Sequence, residues 1–257
     1  MITWWKLAVL AIVQGVTEFL PISSSGHLLV LEHWMDLSSD LTDINIVLHA
    51  GTLLSILIVY RARIGRMLFS DRRLLALVFA GTIPAVAIGL GVKLCLESLL
   101  EIPLVAAVCL PVTGAILFWC QRHPPGELIC ENLSWKGAVA IGFAQAFAIL
   151  PGISRSGTTI AAGLACGLSR EEAAAFSFLL AIPAISGAAV LESVSVLKGE
   201  PISTPLSMLL AGAILAAVVG WFSLHWLLKV LQRGQLQYFG VWCVLLGVVV
   251  LLQLFVL

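Results

Sequence analysis

Two short polar segments, both rich in Ser and Gly, interrupt apolar stretches of the chain. The segment at 21–27 reads Pro-Ile-Ser-Ser-Ser-Gly-His, and the one at 151–157 reads Pro-Gly-Ile-Ser-Arg-Ser-Gly. Backbone N–H groups at a helix start bind phosphate, and a guanidinium can hold two phosphate oxygens. These segments therefore favour an anionic phosphate ligand over a sugar or an amino acid.

Ser24 and His27 lie three residues apart in the first segment. If a helix begins near Ser24, its N–H groups and the serine hydroxyls point to the same place. His27 could then activate Ser24 for attack on phosphorus, or donate a proton to a leaving group. In the second segment, Arg155 could stabilise charge on a phosphoryl group during its transfer.

Glu18 and Arg155 are ionisable residues in otherwise apolar surroundings. Such residues are functional candidates when the surroundings are a membrane. The alternative is a structural ion pair that fastens the two segments, although a buried pair adds little net stability. Gln14 lies four residues before Glu18, on the same helix face. The carboxylate and the amide together could bind a hydrated divalent cation, or the carboxylate could act as a proton acceptor. The alternative for Gln14 is a hydrogen bond that only packs helices. His49 lies with Gly51 and Thr52 at the start of a predicted span and is interpreted as a packing residue.

The composition identifies the class of protein that positions these groups. Of the 257 residues, 60% are hydrophobic and 11% are charged, and 14 basic residues balance 14 acidic ones. Soluble domains carry about 25% charged residues. The chain is therefore expected to be a polytopic membrane protein, and not a soluble enzyme, a disordered protein or a nucleic-acid binder.

Six apolar stretches are long enough to cross a membrane as helices. They cover residues 44–60, 74–93, 103–120, 171–192, 206–229 and 237–257. Four shorter apolar pieces flank the polar segments, at 4–19, 26–35, 136–150 and 157–168. Because Pro, Gly and Ser break helices, each flanked segment predicts a re-entrant helical hairpin.

The two polar segments also resemble each other. Leu-Pro at 20–21 is followed by Ser-Ser-Gly at 24–26, Leu-Pro at 150–151 is followed by Ser-Arg-Ser-Gly at 154–157, and a Gln precedes each segment, at 14 and 145. This predicts one integral membrane domain over 1–257, built of repeat halves at about 1–120 and about 136–257. The loop 61–73 holds five Arg against one Asp, which places it in the cytoplasm. Counting spans from this loop puts the two hairpins on opposite faces, as in the inverted-topology repeats of transporters.

Three stretches resemble one known family. Residues 14–27 resemble the first signature of the bacterial undecaprenyl-diphosphatases, the bacitracin-resistance family, and 151–159 resemble the second. The stretch 176–184, which reads Phe-Ser-Phe-Leu-Leu-Ala-Ile-Pro-Ala, is similar to a third shared stretch. Length and span number also fit, so the resemblance covers essentially the whole chain.

The resemblance implies a phosphatase of the bacterial inner membrane. Its substrate would be undecaprenyl diphosphate, and its products undecaprenyl phosphate and inorganic phosphate. This reaction would recycle the carrier lipid for peptidoglycan synthesis and give resistance to bacitracin. The resemblance further implies a divalent cation, Mg²⁺ or Ca²⁺, and an active site open to the outer (periplasmic) face. Whether the protein forms a homodimer stays open.

Carried over by position, the catalytic set is Glu18, Ser24, His27 and Arg155. The expected substrate-binding residues are Gln14, Ser23, Ser25, Gly26, Ser154, Ser156 and Thr158. Gln14 stands where the family's ExxxE pattern begins, and an amide cannot act as a base. Any carboxylate role, as metal ligand or proton acceptor, therefore falls to Glu18.

Two mechanisms and two functions stay open. Ser24 could attack phosphorus with help from His27 or Glu18 and form a phosphoseryl intermediate, or water could attack directly. A lipid-phosphate transporter or flippase would use the same anion site. An ion channel is disfavoured, because no predicted span carries a repeated polar stripe.

Overall fold

A computed structural model describes residues 2–37, 41–197 and 204–256, and within these ranges the regular elements are helices. The α-helices are α1 (Trp4–Thr17), α2 (Ser24–Trp34), α3 (Thr42–Val59), α4 (Arg61–Phe69), α5 (Arg72–Leu96), α6 (Pro103–Arg122), α7 (Trp135–Phe147), α8 (Arg155–Ala165), α9 (Arg170–Leu197), α10 (Leu206–Gln232) and α11 (Gln237–Val256). Two 3₁₀ turns, Glu97–Glu101 and Cys130–Asn132, lie between them.

The six predicted spans are confirmed as helices. Five of them, α5, α6, α9, α10 and α11, are individually long and apolar enough to cross a membrane. The sixth, α3, meets that test together with α4, from which it is separated by a bend of 76°. The chain is therefore an all-helical, multi-pass membrane protein.

The loop predicted at 61–73 contains a helix, and this is a difference from the sequence expectation. Helix α4 carries three arginines, while Met67 is buried and Phe69 is 86% exposed. A short helix with basic and apolar faces suits the membrane surface, which a count of charges alone does not reveal. Arg63 fixes its position through Glu172 at 2.5 Å and Glu131 at 3.3 Å.

The two polar segments begin helices in the same way. Ser23 caps α2 by accepting a hydrogen bond from the Gly26 N–H at 3.2 Å, and Ser154 caps α8 by accepting one from the Gly157 N–H at 3.1 Å. Each cap satisfies a backbone donor that has no partner within the helix. The shared cap makes Ser24 and Arg155 equivalent first residues of the two helices.

The first arm of each hairpin packs on a span of the opposite half. Helix α1 packs on α10, where Gly15 leaves room for only its hydrogen beside Val219. Helix α7 packs on α5, where a Cβ on Gly142 would lie 2.2 Å from the Gly81 carbonyl oxygen. In the predicted internal repeat these two pairings would be equivalent, and each would join a hairpin of one half to a span of the other.

The third family-like stretch lies in α9, beside the tip of the first hairpin. Phe178 is fully buried, and its ring centroid lies 5.7 Å from that of Phe19 and 6.0 Å from that of Tyr60. Aromatic pairs at such distances stabilise a core beyond their buried area. The packing of α9 therefore supports the segment that follows Glu18.

Candidate active site

The tips of the two hairpins are joined by hydrogen bonds. The Gly152 N–H donates to Ser23 Oγ at 3.1 Å, and Ser156 Oγ donates to the Leu20 carbonyl at 3.4 Å. A Cβ on Gly26 would lie 2.8 Å from the Gly152 backbone, so the close approach requires glycine. The N-termini of α2 and α8 are thus held together, and both carry the positive end of a helix dipole.

A cavity of about 420 Å³ lies at this junction, and we name it the tip cavity. Its polar lining consists of Thr17, Glu18, Ser23, Ser24, Ser25, His49, Ser154, Arg155 and Ser156. Its apolar wall comes from α3, α9 and the end of the second hairpin's first arm. The cavity therefore offers a polar end beside an apolar wall, as an amphiphilic ligand requires.

Glu18 joins the groups that the sequence predicted to react. Arg155 Nη2 donates to Glu18 Oε1 at 2.5 Å, while Ser24 Oγ donates to Glu18 Oε2 at 2.8 Å. Gln14 Nε2 donates to the same Oε2 at 3.1 Å, which confirms that the two residues share a helix face. The carboxylate can thus accept the proton of the Ser24 hydroxyl directly.

Two buried polar atoms beside Glu18 have no hydrogen-bond partner in the described part of the chain. They are Arg155 Nη1 and Gln14 Oε1. Buried polar groups are rarely left unpaired, and each one calls for an explanation. Because Arg155 lines the tip cavity, we interpret its unpaired Nη1 as a donor for an anion bound there, with Nη2 still on Glu18.

The predicted binding residues divide into two groups. Ser25 and Ser156 line the tip cavity together with the capping residues Ser23 and Ser154. Gly26 contributes its backbone to a cap, and Thr158 Oγ1 donates to the Ser154 carbonyl at 2.5 Å. Gly26 and Thr158 are thus placed where they shape the helix starts.

The structure does not bring His27 to the Ser24 hydroxyl. A carbonyl only accepts, so His27 Nδ1 donates to the Ser23 carbonyl at 2.8 Å. His27 Nε2 then accepts from Trp242 Nε1 at 2.8 Å. The imidazole lines a second cavity of about 640 Å³, which we name the aromatic cavity and which Trp226, Phe239 and Trp242 also line.

The histidine in the tip cavity is His49, which the sequence reasoning set aside. Its Nε2 lies 3.8 Å from Glu18 Oε2, and its Nδ1 lies 2.7 Å from the Asn45 carbonyl oxygen. Asn45, His49 and Thr52 are spaced as one face of a helix within an apolar stretch. The spacing of these three polar residues is the sequence feature that would have pointed to His49.

The side chains around Glu18 do not fit a resident divalent cation. No three His, Cys, Asp or Glu residues converge on a point anywhere in the described ranges. Glu18 is the one carboxylate among the described residues of the tip cavity, and both its oxygens already accept hydrogen bonds, one from a guanidinium. A cation bound there would face Arg155 at close range, and like charges repel strongly in a low dielectric.

Comparison with known proteins gives a consistent result. Residues 7–249 match the family described as "Bacitracin resistance protein BacA". An "Undecaprenyl-diphosphatase" of Rhodopirellula baltica is 45% identical, with 96% of each chain covered. Proteins of the same name from Desulfatibacillum aliphaticivorans (98% of this chain, 99% of the relative) and Methanobrevibacter smithii (94% of each) are 38% and 40% identical. The chain thus belongs to the bacitracin resistance protein BacA family.

Proposed function

We propose that this protein hydrolyses undecaprenyl diphosphate to undecaprenyl phosphate and inorganic phosphate. One observation carries the proposal: a serine and an arginine meet on one buried carboxylate, at the start of two helices. A nucleophile, a proton acceptor and a fixed cation are thus within reach of one ligand. The names of the relatives support the same substrate.

The tip cavity suits the diphosphate in charge and in shape. Helix N-termini and a guanidinium bind phosphate oxygens by charge-assisted hydrogen bonds. Here α2 and α8 supply the N-termini, and Arg155 supplies the unpaired Nη1. The apolar wall, which includes Ile46 and Ile185, lies beside this polar end and could contact the lipid chain. We propose that the substrate enters sideways from the bilayer, with its tail along this wall.

The contacts give each reacting residue a role. Ser24 Oγ attacks the terminal phosphorus, and its proton passes to Glu18 Oε2, which already accepts it as a hydrogen bond. The bond from that phosphorus to the bridging oxygen breaks, and undecaprenyl phosphate leaves. Arg155 stabilises the charge on the transferring group. Water then hydrolyses the phosphoserine. In the other mechanism Glu18 activates a water molecule instead.

The divalent cation, Mg²⁺ or Ca²⁺, is proposed to arrive with the substrate. Mg²⁺ usually keeps several waters and takes substrate phosphates as ligands, with few protein carboxylates. This mode of binding fits a cavity whose single described carboxylate is already paired with Arg155. Bound in this way, the cation would neutralise the diphosphate.

We propose that the tip cavity opens to the outer face of a bacterial inner membrane. Its lining residues Ile46 and His49 lie near the start of α3, and the arginine-rich helix α4 follows the other end of α3. The positive-inside rule places that arginine-rich end in the cytoplasm. A phosphatase on the outer face would recycle the carrier lipid for peptidoglycan synthesis and would confer bacitracin resistance.

A lipid-phosphate transporter is the second candidate, and the aromatic cavity favours it. This cavity is also lined by residues of the first hairpin, and Thr17 lines both cavities. Arg233 also lines it, and the neighbouring Gly234 packs against Arg170 at the start of α9. We propose that the two cavities would give the hairpin tips access from two sides, as in alternating access.

Phosphate release from purified protein in detergent distinguishes the two functions. With farnesyl or undecaprenyl diphosphate and Mg²⁺, the wild-type protein should release phosphate, and Arg155→Ala should lose this activity. Binding of the diphosphate without turnover would instead support transport. Arg122→Ala, at the end of α6 and outside both cavities, is the matched control and should keep the activity.

A further inference from the structure

We infer that His49 of α3 receives the proton that Glu18 takes from Ser24. The inference rests on the proposed phosphatase reaction and adds to it a residue that the sequence did not indicate. His49 lines the tip cavity, and its side chain is 32% exposed there. Its Nε2 lies 3.8 Å from Glu18 Oε2.

The hydrogen bond of His49 to its own helix fixes the proton on its ring. Nδ1 lies 2.7 Å from the Asn45 carbonyl oxygen, which can only accept, so Nδ1 carries the hydrogen. Nε2 of the neutral ring is then a free acceptor. This is the nitrogen that faces Glu18, so the ring is oriented to take a proton from that side.

The two oxygens of Glu18 have different partners, and this difference decides which oxygen the Ser24 proton moves to. Oε1 accepts from Arg155, whose guanidinium keeps that oxygen unprotonated. Oε2 accepts from Ser24 and is also the oxygen nearest to His49. The only carboxylate oxygen that can gain the serine proton is thus the one next to Nε2.

At 3.8 Å, Nε2 and Oε2 are not yet hydrogen-bonded. While Glu18 is ionised and His49 neutral, two acceptors face each other and gain nothing from a closer approach. Once the Ser24 proton lies on Oε2, the pair becomes a donor and an acceptor, and the gap can close directly or through one water. The contact therefore forms only after the attack has begun.

The reaction balances with His49 in this place. As the Ser24 Oγ–P bond forms and the P–O bond to the lipid phosphate breaks, the hydroxyl proton moves to Oε2 and then to Nε2. The imidazolium then lies beside a restored carboxylate. In the second step a water oxygen bonds to the phosphorus of phosphoserine and the bond from phosphorus to Ser24 Oγ breaks. Ser24 Oγ then takes back the proton from His49 Nε2 through Glu18. The released phosphate keeps both hydrogens of the water.

His27 is not available for this task. Both of its ring nitrogens are engaged, one by the Ser23 carbonyl and one by Trp242. Its ring is also nearly parallel to that of Trp242, with an interplanar angle of 16°.

Paired histidine variants of the full-length protein test the inference. His225 is the matched control, because its Nδ1 also lies 2.7 Å from a carbonyl oxygen four residues earlier, that of Trp221. His225 lines neither the tip cavity nor the aromatic cavity. We expect His49→Ala to lower kcat by about 10²-fold, the lower end of the usual general acid–base contribution, with KM little changed. His225→Ala should keep the wild-type kcat.

Added imidazole distinguishes proton transfer from packing. Because the His49 side chain borders an open cavity, free imidazole should restore part of the lost kcat in His49→Ala and none in Arg155→Ala. His49→Gln keeps the size of the side chain but cannot carry a proton, so it should stay as slow as His49→Ala.

Two results would overturn the role of His49. One is wild-type kcat in His49→Gln, and the other is a slow His49→Ala variant that imidazole does not improve. Both results are measured as phosphate release, so they require a wild-type protein that is active. A wild-type protein that binds the diphosphate without releasing phosphate would contradict the proposed function itself, so the two failures are separable.

Discussion

Glu18 and Arg155 lie 137 residues apart in the chain, yet Arg155 Nη2 donates to Glu18 Oε1 at 2.5 Å. Each residue belongs to a different hairpin, so this contact joins the two halves at the tip cavity. It also leaves Oε2 for Ser24 and Nη1 for a ligand. Glu18 Oε1 and Arg155 Nη2 thus hold the hairpins together, while Glu18 Oε2 and Arg155 Nη1 serve the reaction.

Glu18→Gln should remove the proton acceptor while keeping the shape of the side chain. We expect kcat for phosphate release to fall by about 10²–10⁴-fold, because an amide cannot take the Ser24 proton. Arg155 would lose its charged partner, and breaking a buried pair costs about 3–5 kcal/mol in general, so thermal unfolding should be measured alongside activity. Glu101→Gln is the control, since Glu101 is exposed in a 3₁₀ turn. An active, equally stable Glu18→Gln variant would contradict this account.

Ser24→Ala and Ser25→Ala should show that Ser24 is the nucleophile and that Ser25 only binds the substrate. Ser24 Oγ contacts Glu18 at 2.8 Å, whereas Ser25 Oγ lies 3.4 Å from Ser23 Oγ. Acid quenching during turnover of a diphosphate that carries ³²P in its terminal phosphate should trap labelled protein in the wild type and in Ser25→Ala. Ser24→Ala should give no labelled protein and no phosphate. Full activity in Ser24→Ala would instead indicate direct attack by water.

His27 and Trp242 should act as a structural pair. Their hydrogen bond ties the first hairpin to α11, and a bond of this kind contributes about 1 kcal/mol. His27→Gln and Trp242→Phe should therefore each lower the free energy of unfolding, and the double variant should lose less than the sum. The two single variants should also affect phosphate release to a similar degree. A loss of kcat in His27→Gln that Trp242→Phe does not share would indicate that His27 takes part in the reaction.

The sequence predicted the spans and the charged site residues better than it predicted the roles of the histidines. Apolar length predicted the six spans, because lipid leaves the backbone few options. Glu18 and Arg155 could be selected since a charge in an apolar run is conspicuous. The histidines could not be assigned, because their roles depend on which way each ring turns. His27 turns to Trp242 of α11 and His49 to Glu18, the residue directly after α1, and neither contact is local in sequence.

Gly142→Ala should test the close contact between the second hairpin and the opposite half. An added Cβ would lie 2.2 Å from the Gly81 carbonyl oxygen, and this backbone atom cannot turn aside as a side chain would. Helices α7 and α5 must then separate, and overpacking of this kind costs about 1–3 kcal/mol. Because α7 leads into the segment that holds Arg155, phosphate release should fall together with the melting temperature in detergent. Gly91→Ala is the matched control, since nothing lies within 4 Å of a Cβ at that position of α5. Equal melting temperatures for the two variants would mean that α7 does not need this close contact to position the second hairpin.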